Sequence, residues 1–111
     1  MRLINLLANN NYIVLNKDLI HKIGIDETIL LGELCSECSY WEMCCAELDD
    51  WYFYSTIENV EKNTTFGSKK QKRLLDRLVE LNIVDVKLKG VPAKRHIRIN
   101  EQTLYNLLKN K

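Results

Sequence analysis

The sequence predicts an α+β fold, a winged helix-turn-helix: helix, strand, helix, helix and a two-stranded wing, with extra N- and C-terminal segments. Three observations predict it. Residues 55–82 read as a short helix, a break at Asn63-Thr64-Thr65-Phe66-Gly67 and a second, basic helix. Two runs then alternate apolar and polar residues, the period of a half-buried strand. Between them lies Gly90-Val91-Pro92-Ala93, with the chain's only proline, and neither Gly nor Pro suits a strand interior.

Each element has its own justification. Residues 2–8 carry Leu3, Ile4, Leu6 and Leu7, which suits a short helix or strand against the body, and Asn9 to Asn11 make a turn. Tyr12-Ile13-Val14-Leu15 is β-prone. Asn16 is placed to cap a helix that Gly24 ends. Asp26 is placed to cap a longer one, with Ile29, Leu30, Leu34, Cys38 and Trp41 on its buried stripe and Leu31 and Cys35 beside it. Glu27, Glu33, Glu37 and Glu42 point elsewhere in this reading, and the helix fades between Ser39 and Leu48. Asp49-Asp50 makes a turn, and Trp51-Tyr52-Phe53-Tyr54 is a strand by composition.

The pairs Ser55/Glu58 and Ser68/Gln71 have the spacing of capping boxes, in which a hydroxyl and an acid or amide side chain satisfy two orphan amides. From Ser68 the basic helix buries Leu74, Leu75, Leu78, Val79 and Leu81 with Gln71 beside them. Its opposite face carries Lys69, Arg73, Asp76 and Glu80, flanked by Lys70, Lys72 and Arg77, and Asn82 stops it in a left-handed cap. Val84, Val86 and Leu88 alternate with Asp85, Lys87 and Lys89; Arg95, Ile97 and Ile99 alternate with His96 and Arg98. Lys89, Lys94 and Arg95 are thus expected near a hairpin tip. Asn100 caps a last helix with Leu104, Leu107 and Leu108 on one face. One domain follows: residues 1–24 an extension, 25–99 the winged-helix core, 100–111 the closing helix.

Charge is segregated along the chain. Residues 1–61 hold three basic and eleven acidic side chains; residues 62–98 hold eleven basic and three acidic, although the net charge is only +1. Such a field draws a polyanion to one end of the molecule. The candidate DNA-contacting residues are Lys69, Lys70, Lys72, Arg73, Arg77, Lys87, Lys89, Lys94, Arg95 and Arg98, and the partner they imply is double-stranded DNA. The terminal segments complete the core or supply a homodimer contact for paired half-sites. No run reaches the roughly 20 apolar residues of a spanning helix, and no signal-peptide pattern stands at the start, so a cytoplasmic protein without a membrane partner is expected.

Cys35-Ser-Glu-Cys38 and Cys44-Cys45 have ligand-like spacing for zinc. Against this, Cys35 and Cys38 fall in a helical pattern, where cysteine serves as a small apolar residue, and adjacent Cys44 and Cys45 point apart on regular backbone. No metal or other cofactor is therefore expected. His21 reads as a surface residue, and His96 shares the side of Arg98. No nucleophile motif, paired-carboxylate arrangement or phosphate-cradling glycine loop is present, so an enzyme is not expected.

The run Tyr-Phe-Tyr-Ser-Thr-Ile-Glu-Asn-Val-Glu (residues 52–61), the helix from Ser68 to Asn82 and Gly-Val-Pro-Ala-Lys-Arg-His-Ile-Arg-Ile-Asn (residues 90–100) resemble the winged-helix modules of phage-type replication initiators. Such modules open replisome organiser and DnaD-like proteins of low-GC Gram-positive bacteria and their phages. Asn-Lys-Asp-Leu-Ile, Ile-Gly-Ile-Asp-Glu-Thr-Ile-Leu-Leu-Gly-Glu-Leu and Tyr-Trp, all within residues 16–41, fit as well. The resemblance implies a basic helix in the major groove, a hairpin of residues 87–98 along the backbone, and a role in replication initiation with a replication-protein partner. Members often continue into a second domain, and the Cys44-Cys45 pair is not part of the family pattern. A transcriptional regulator on the same fold, a protein-interaction adaptor without DNA, and a thiol- or metal-responsive regulator are the alternatives.

Overall fold

The computed structural model describes Ile4, residues 15–44 and residues 49–109. In order these form α1 (Lys17–Ile23), α2 (Ile25–Cys44), a 3₁₀ turn (Asp49–Trp51), β1 (Phe53–Tyr54), α3 (Ile57–Thr64), α4 (Ser68–Glu80), β2 (Val84–Lys89), β3 (Lys94–Ile99) and α5 (Glu101–Lys109). The strands make one antiparallel sheet in the order β1-β3-β2. With α3 and α4 as the helix-turn-helix and β2-β3 as the wing, this is the winged-helix arrangement that the sequence predicts. The predictions for residues 2–3 and 5–14 and for Cys45 lie outside the described residues; Ile4 is buried in the core, its amide 3.4 Å from the Glu101 carboxylate.

α1 begins as its sequence dictates: the Asn16 side chain accepts from the Leu19 amide at 3.1 Å. It ends at Gly24, whose φ of 105° places it where a side chain is strained. A Cβ there would also come 2.5 Å from Glu27 Oε1. α2 starts at Ile25, one residue before the predicted cap. The reason is that Gly24 O already accepts from the Thr28 amide at 3.1 Å and its hydroxyl at 2.7 Å, which leaves Asp26 inside the first turn.

α2 is the central helix, and it runs to Cys44, within the span from Ser39 to Leu48 where the sequence has it fade. It corrects the sequence reading in one way: it is covered on nearly all sides, because α1, α3, α4 and β1 all pack on it. Glu33 and Glu37, expected off the buried stripe, are therefore only 6% and 8% exposed. Leu30, Leu31, Leu34, Cys35 and Cys38 form the middle of the core, joined by Val60, Leu74, Leu78, Phe53, Val84 and Ile97.

β3 lies between β1 and β2, with Ile97 opposite both Phe53 and Val86. Opposed residues share a face, so Phe53, Val84, Val86, Leu88, Arg95, Ile97 and Ile99 make the inner face. The predicted tip is a turn at Gly90, with φ of 88°. α5 buries Leu104, while Leu107 and Leu108 pack at the core's margin. Asn100 does not use its side chain as a cap; its amide reaches back to Asn82 O at 2.9 Å. Asn82 takes the predicted left-handed conformation, φ 61°.

Candidate nucleic-acid interface

α4 is held by its inner face. Leu74 and Leu78 are buried, and Gln71, 1% exposed, donates to Phe66 O at 2.8 Å and Ile57 O at 3.0 Å. This fixes α4 against the start of α3 and the turn before it. It also corrects the second capping box: Gly67 is the N-cap, no side chain bonds to it, and Gln71 serves the core instead. Val79, placed on the buried stripe by spacing, is 42% exposed because it sits at the edge of that stripe, where with Leu75, Val86 and Leu88 it lines an open groove between α4 and the wing.

The seven basic and acidic side chains of α4 separate by geometry. Lys70 pairs with Asp26 at 3.2 Å and lies 4.3 Å over the Phe66 ring; Arg77 pairs with Glu27 at 3.0 Å. Both fasten α4 to the first turn of α2. Lys72 pairs with Asp76 along the exposed surface at 3.1 Å. Lys69 and Arg73 are exposed, and among the described residues neither enters an ion pair. Lys69, Lys72, Arg73, Asp76, Arg77 and Glu80 line one shallow groove. Lys69, Lys72 and Arg73 occupy its N-terminal half, and Asp76 and Glu80 stand with the Glu27-paired Arg77 in its C-terminal half.

The wing cations lie elsewhere. Strand alternation puts Lys87, Lys89, Lys94, His96 and Arg98 on the outer sheet face, with Tyr54 of β1 and the preceding Tyr52. Lys87 Nζ sits 4.0 Å from the centre of the Tyr52 ring and Lys94 Nζ 5.5 Å from that of Tyr54. Arg98 is spoken for: it meets Asp85 at 2.7 Å and Asp50 at 2.8 Å and lies 4.8 Å over Tyr52. The Asp85 hydrogen bond chiefly raises its pKa.

Arg95 is the clearest departure from the expected site. It is the second residue of β3, paired with Leu88, and its guanidinium turns inward. Nε donates to Ser55 O at 3.1 Å, Nη2 to Ser55 Oγ at 3.2 Å and Nη1 to Gln71 Oε1 at 3.3 Å. Burial pulls its pKa down. Ser55 Oγ in turn donates to Glu37 Oε1 at 2.6 Å. So Ser55 caps nothing: Thr56 is the N-cap of α3, accepting from the Asn59 amide at 3.1 Å. The inner face of a wing strand, α4 and α2 are thereby joined through one buried hydroxyl.

Glu33 continues the network. Its Oε2 accepts from Asn63 at 3.0 Å, and Asn59 donates to Glu37 at 2.9 Å. Burial pushes the Glu33 carboxyl up to about 7; Asn63 opposes this, while a hydrogen bond with Glu37 and its charge add to it. Ser36, Tyr40, Trp41 and Tyr54 close the same cleft, of about 480 Å³. Ser55, Glu37 and Gln71 were missed as a group by sequence reasoning, because nothing in their spacing distinguishes a buried polar side chain from a cap.

Cys35 and Cys38 are buried in α2, and burial pushes the Cys35 thiol far up, so it stays protonated. Cys44 is exposed. Among the described residues no group of three His, Cys, Asp or Glu side chains is placed to hold a metal ion. Nor is any helix among them long and apolar enough to cross a membrane.

A solved structure described as the N-terminal domain of a DNA binding protein matches 98% of this chain and 82% of its own, with a TM-score of 0.56 and 15% sequence identity. At that identity the likeness is one of fold. No protein-family model and no curated protein matches this sequence.

Proposed function

We propose that this protein binds duplex DNA by laying the N-terminal half of α4 in the major groove. The observation that carries the reading is the pair Lys69 and Arg73. Both are exposed, free of ion pairs among the described residues, and set on the outward face of the second helix of a helix-turn-helix. Helices of this kind present their N-terminal side chains to base edges. The α4 N-terminus also lacks a side-chain cap, so its first amides are available to a phosphate. Asp76 and Glu80 repel the backbone and tilt the C-terminal half away. The similar solved fold belongs to a DNA binding protein, which agrees with this assignment.

Within this reading the role is phage-type replication initiation, supported by the resemblance of residues 52–61, 68–82 and 90–100 to replisome organiser modules. The protein is then a cytoplasmic binding module, not an enzyme, and it meets a replication protein and, on paired half-sites, a second copy of itself. A transcriptional regulator is the competing role. Mapping its sites in a host genome separates the two, by clustering at an origin or at promoters.

Titrating a duplex at several salt concentrations tests the binding itself. Three phosphate contacts from Lys69, Lys72 and Arg73 give a slope of log affinity against log salt of about −2.7. Replacing Arg73 with Ala narrows the gap between a selected site and random duplex by about 1–3 kcal/mol. An undetectable complex at low salt, or a slope unchanged in the Lys69→Ala, Arg73→Ala double variant, refutes the proposal.

A further inference from the structure

The wing carries a feature that duplex binding by α4 does not use. Its inner face is the one that meets α4, as the Arg95–Gln71 hydrogen bond at 3.3 Å establishes. Lys87, Lys94, His96 and Arg98 project from the other face, with the buried core between them and the outward stripe of α4. A duplex seated on Lys69 and Arg73 leaves that face uncovered except at the turn.

Cations and aromatic rings alternate across it. Trp41 and Tyr54 have centroids 6.5 Å apart, and Tyr54 and His96 5.6 Å apart. Lys94 stands by Tyr54, and Lys87 and Arg98 flank Tyr52. Tyr52 and Tyr54 are two residues apart around a fully buried Phe53, so both rings stay half-buried at the surface. Asp50 and Asp85 compensate Arg98, whereas Lys94 enters no ion pair among the described residues.

We propose that the outer face of the wing sheet binds an unpaired nucleic-acid strand, with bases on Tyr52 and Tyr54 and a phosphate on Lys94. Rings beside mobile cations are what a single strand requires: every base has a face to stack, and every nucleotide a charge to neutralise. A paired base hides its faces in the duplex, so a duplex gains nothing from the tyrosines. A lysine 5.5 Å from a ring centre is held more weakly than a stacked base, so an incoming base displaces the Lys94 ammonium from Tyr54, and it then meets the adjoining phosphate. The inference stands apart from duplex binding by α4, since it uses none of the same side chains.

Short labelled oligothymidylate, oligouridylate and an abasic strand of equal length test it by anisotropy on the intact chain, with Trp fluorescence recorded alongside. The expected result is binding of both base-bearing strands about tenfold tighter than the abasic one. Oligothymidylate and oligouridylate binding alike indicates stacking without contact to the 2′-hydroxyl; a preference for oligouridylate adds such a contact, a preference for oligothymidylate adds one to its 5-methyl group, and each outcome supports the platform. Tyr52→Ala and Lys94→Glu each weaken oligothymidylate at least fivefold and leave duplex affinity within twofold. The Lys69→Ala, Arg73→Ala pair does the reverse. Lys94 is exposed, so its variant tests the face even where a tyrosine variant fails to fold. Equal binding of the abasic strand, an unaltered Lys94→Glu variant, or equal loss of single-strand binding in the α4 variant overturns the inference.

Discussion

Arg95 shows how a charge in a basic segment can be consumed by the fold. Its guanidinium satisfies Ser55 twice and Gln71 once, and Ser55 passes the contact to Glu37. Arg95→Ala leaves a buried hydroxyl and a buried amide without their donor, which costs about 2–4 kcal/mol. Chemical denaturation should register that loss, while the salt slope of duplex binding, measured on the folded variant, stays as in the parent. Glu33 makes the opposite kind of prediction. Its folded pKa, near 7, stands above the usual 4.5 because burial and Glu37 outweigh Asn63, even with the Arg95 charge close enough to act on Glu37. Between those two values the unfolded chain has lost the proton and the folded chain keeps it. Stability contributed by this group is therefore full below about pH 4.5, falls as pH rises, and levels off above about 7. The whole fall is on the order of 3 kcal/mol. Glu33→Gln keeps an acceptor for Asn63 and offers Glu37 a permanent hydrogen, so its thermal midpoint should overtake the parent's across that window. A variant that runs parallel to the parent from pH 5 to 8 contradicts the assignment.

At the scale of elements, the order of helices and strands was legible in the sequence, and the capping partners were not. Apolar spacing carries the inward face of α4, and alternation carries β2 and β3, because burial acts on every residue of a face. A cap depends on one oxygen, and residues 55–56 offer two candidates, Ser55 and Thr56. Ser55 lies beside β3 with its amide on Arg95 O at 3.0 Å, so its hydroxyl is drawn into the core and the cap passes to Thr56. The same limit hid Glu33 and Glu37. Their spacing fits a solvated stripe, and only the packing of α3 on α2 decides otherwise. The Trp51-Tyr52-Phe53-Tyr54 run was readable further than composition took it, since alternation around Phe53 already sets both tyrosines on one face. The swap is measurable. Thr56→Ala should cost about 1 kcal/mol with a normal pH profile, as loss of a cap does. Ser55→Ala should cost about 1–3 kcal/mol and also shift the Glu33 titration seen by NMR, since it removes the bond that steadies Glu37. Equal costs with no change at Glu33 would mean that Ser55 is an ordinary surface hydroxyl.

For the molecule as a whole, the charge segregation of the sequence resolves into two basic surfaces and an acidic body. Asp26 and Glu27 of α2 are spent on Lys70 and Arg77, which hold α4 in place rather than touch a ligand. What remains outward is Lys69, Lys72 and Arg73 on one side of the core and the Lys87–Lys94 face on another. At about 0.15 M salt the Debye length is about 8 Å, and the outer sheet face is the one turned away from α4, so occupancy of one surface is largely screened from the other. Duplex and single strand should therefore bind together. With a labelled duplex bound at fixed ionic strength, unlabelled oligothymidylate should leave its anisotropy unchanged while Trp fluorescence reports the second strand arriving. At about 0.01 M salt the Debye length grows to about 30 Å, and the two anions should then weaken each other. Full displacement at the higher salt means one shared surface, which would place the wing cations and α4 under the same duplex. Coexistence at both salts would mean that the second strand is held by stacking alone, with the lysines contributing little.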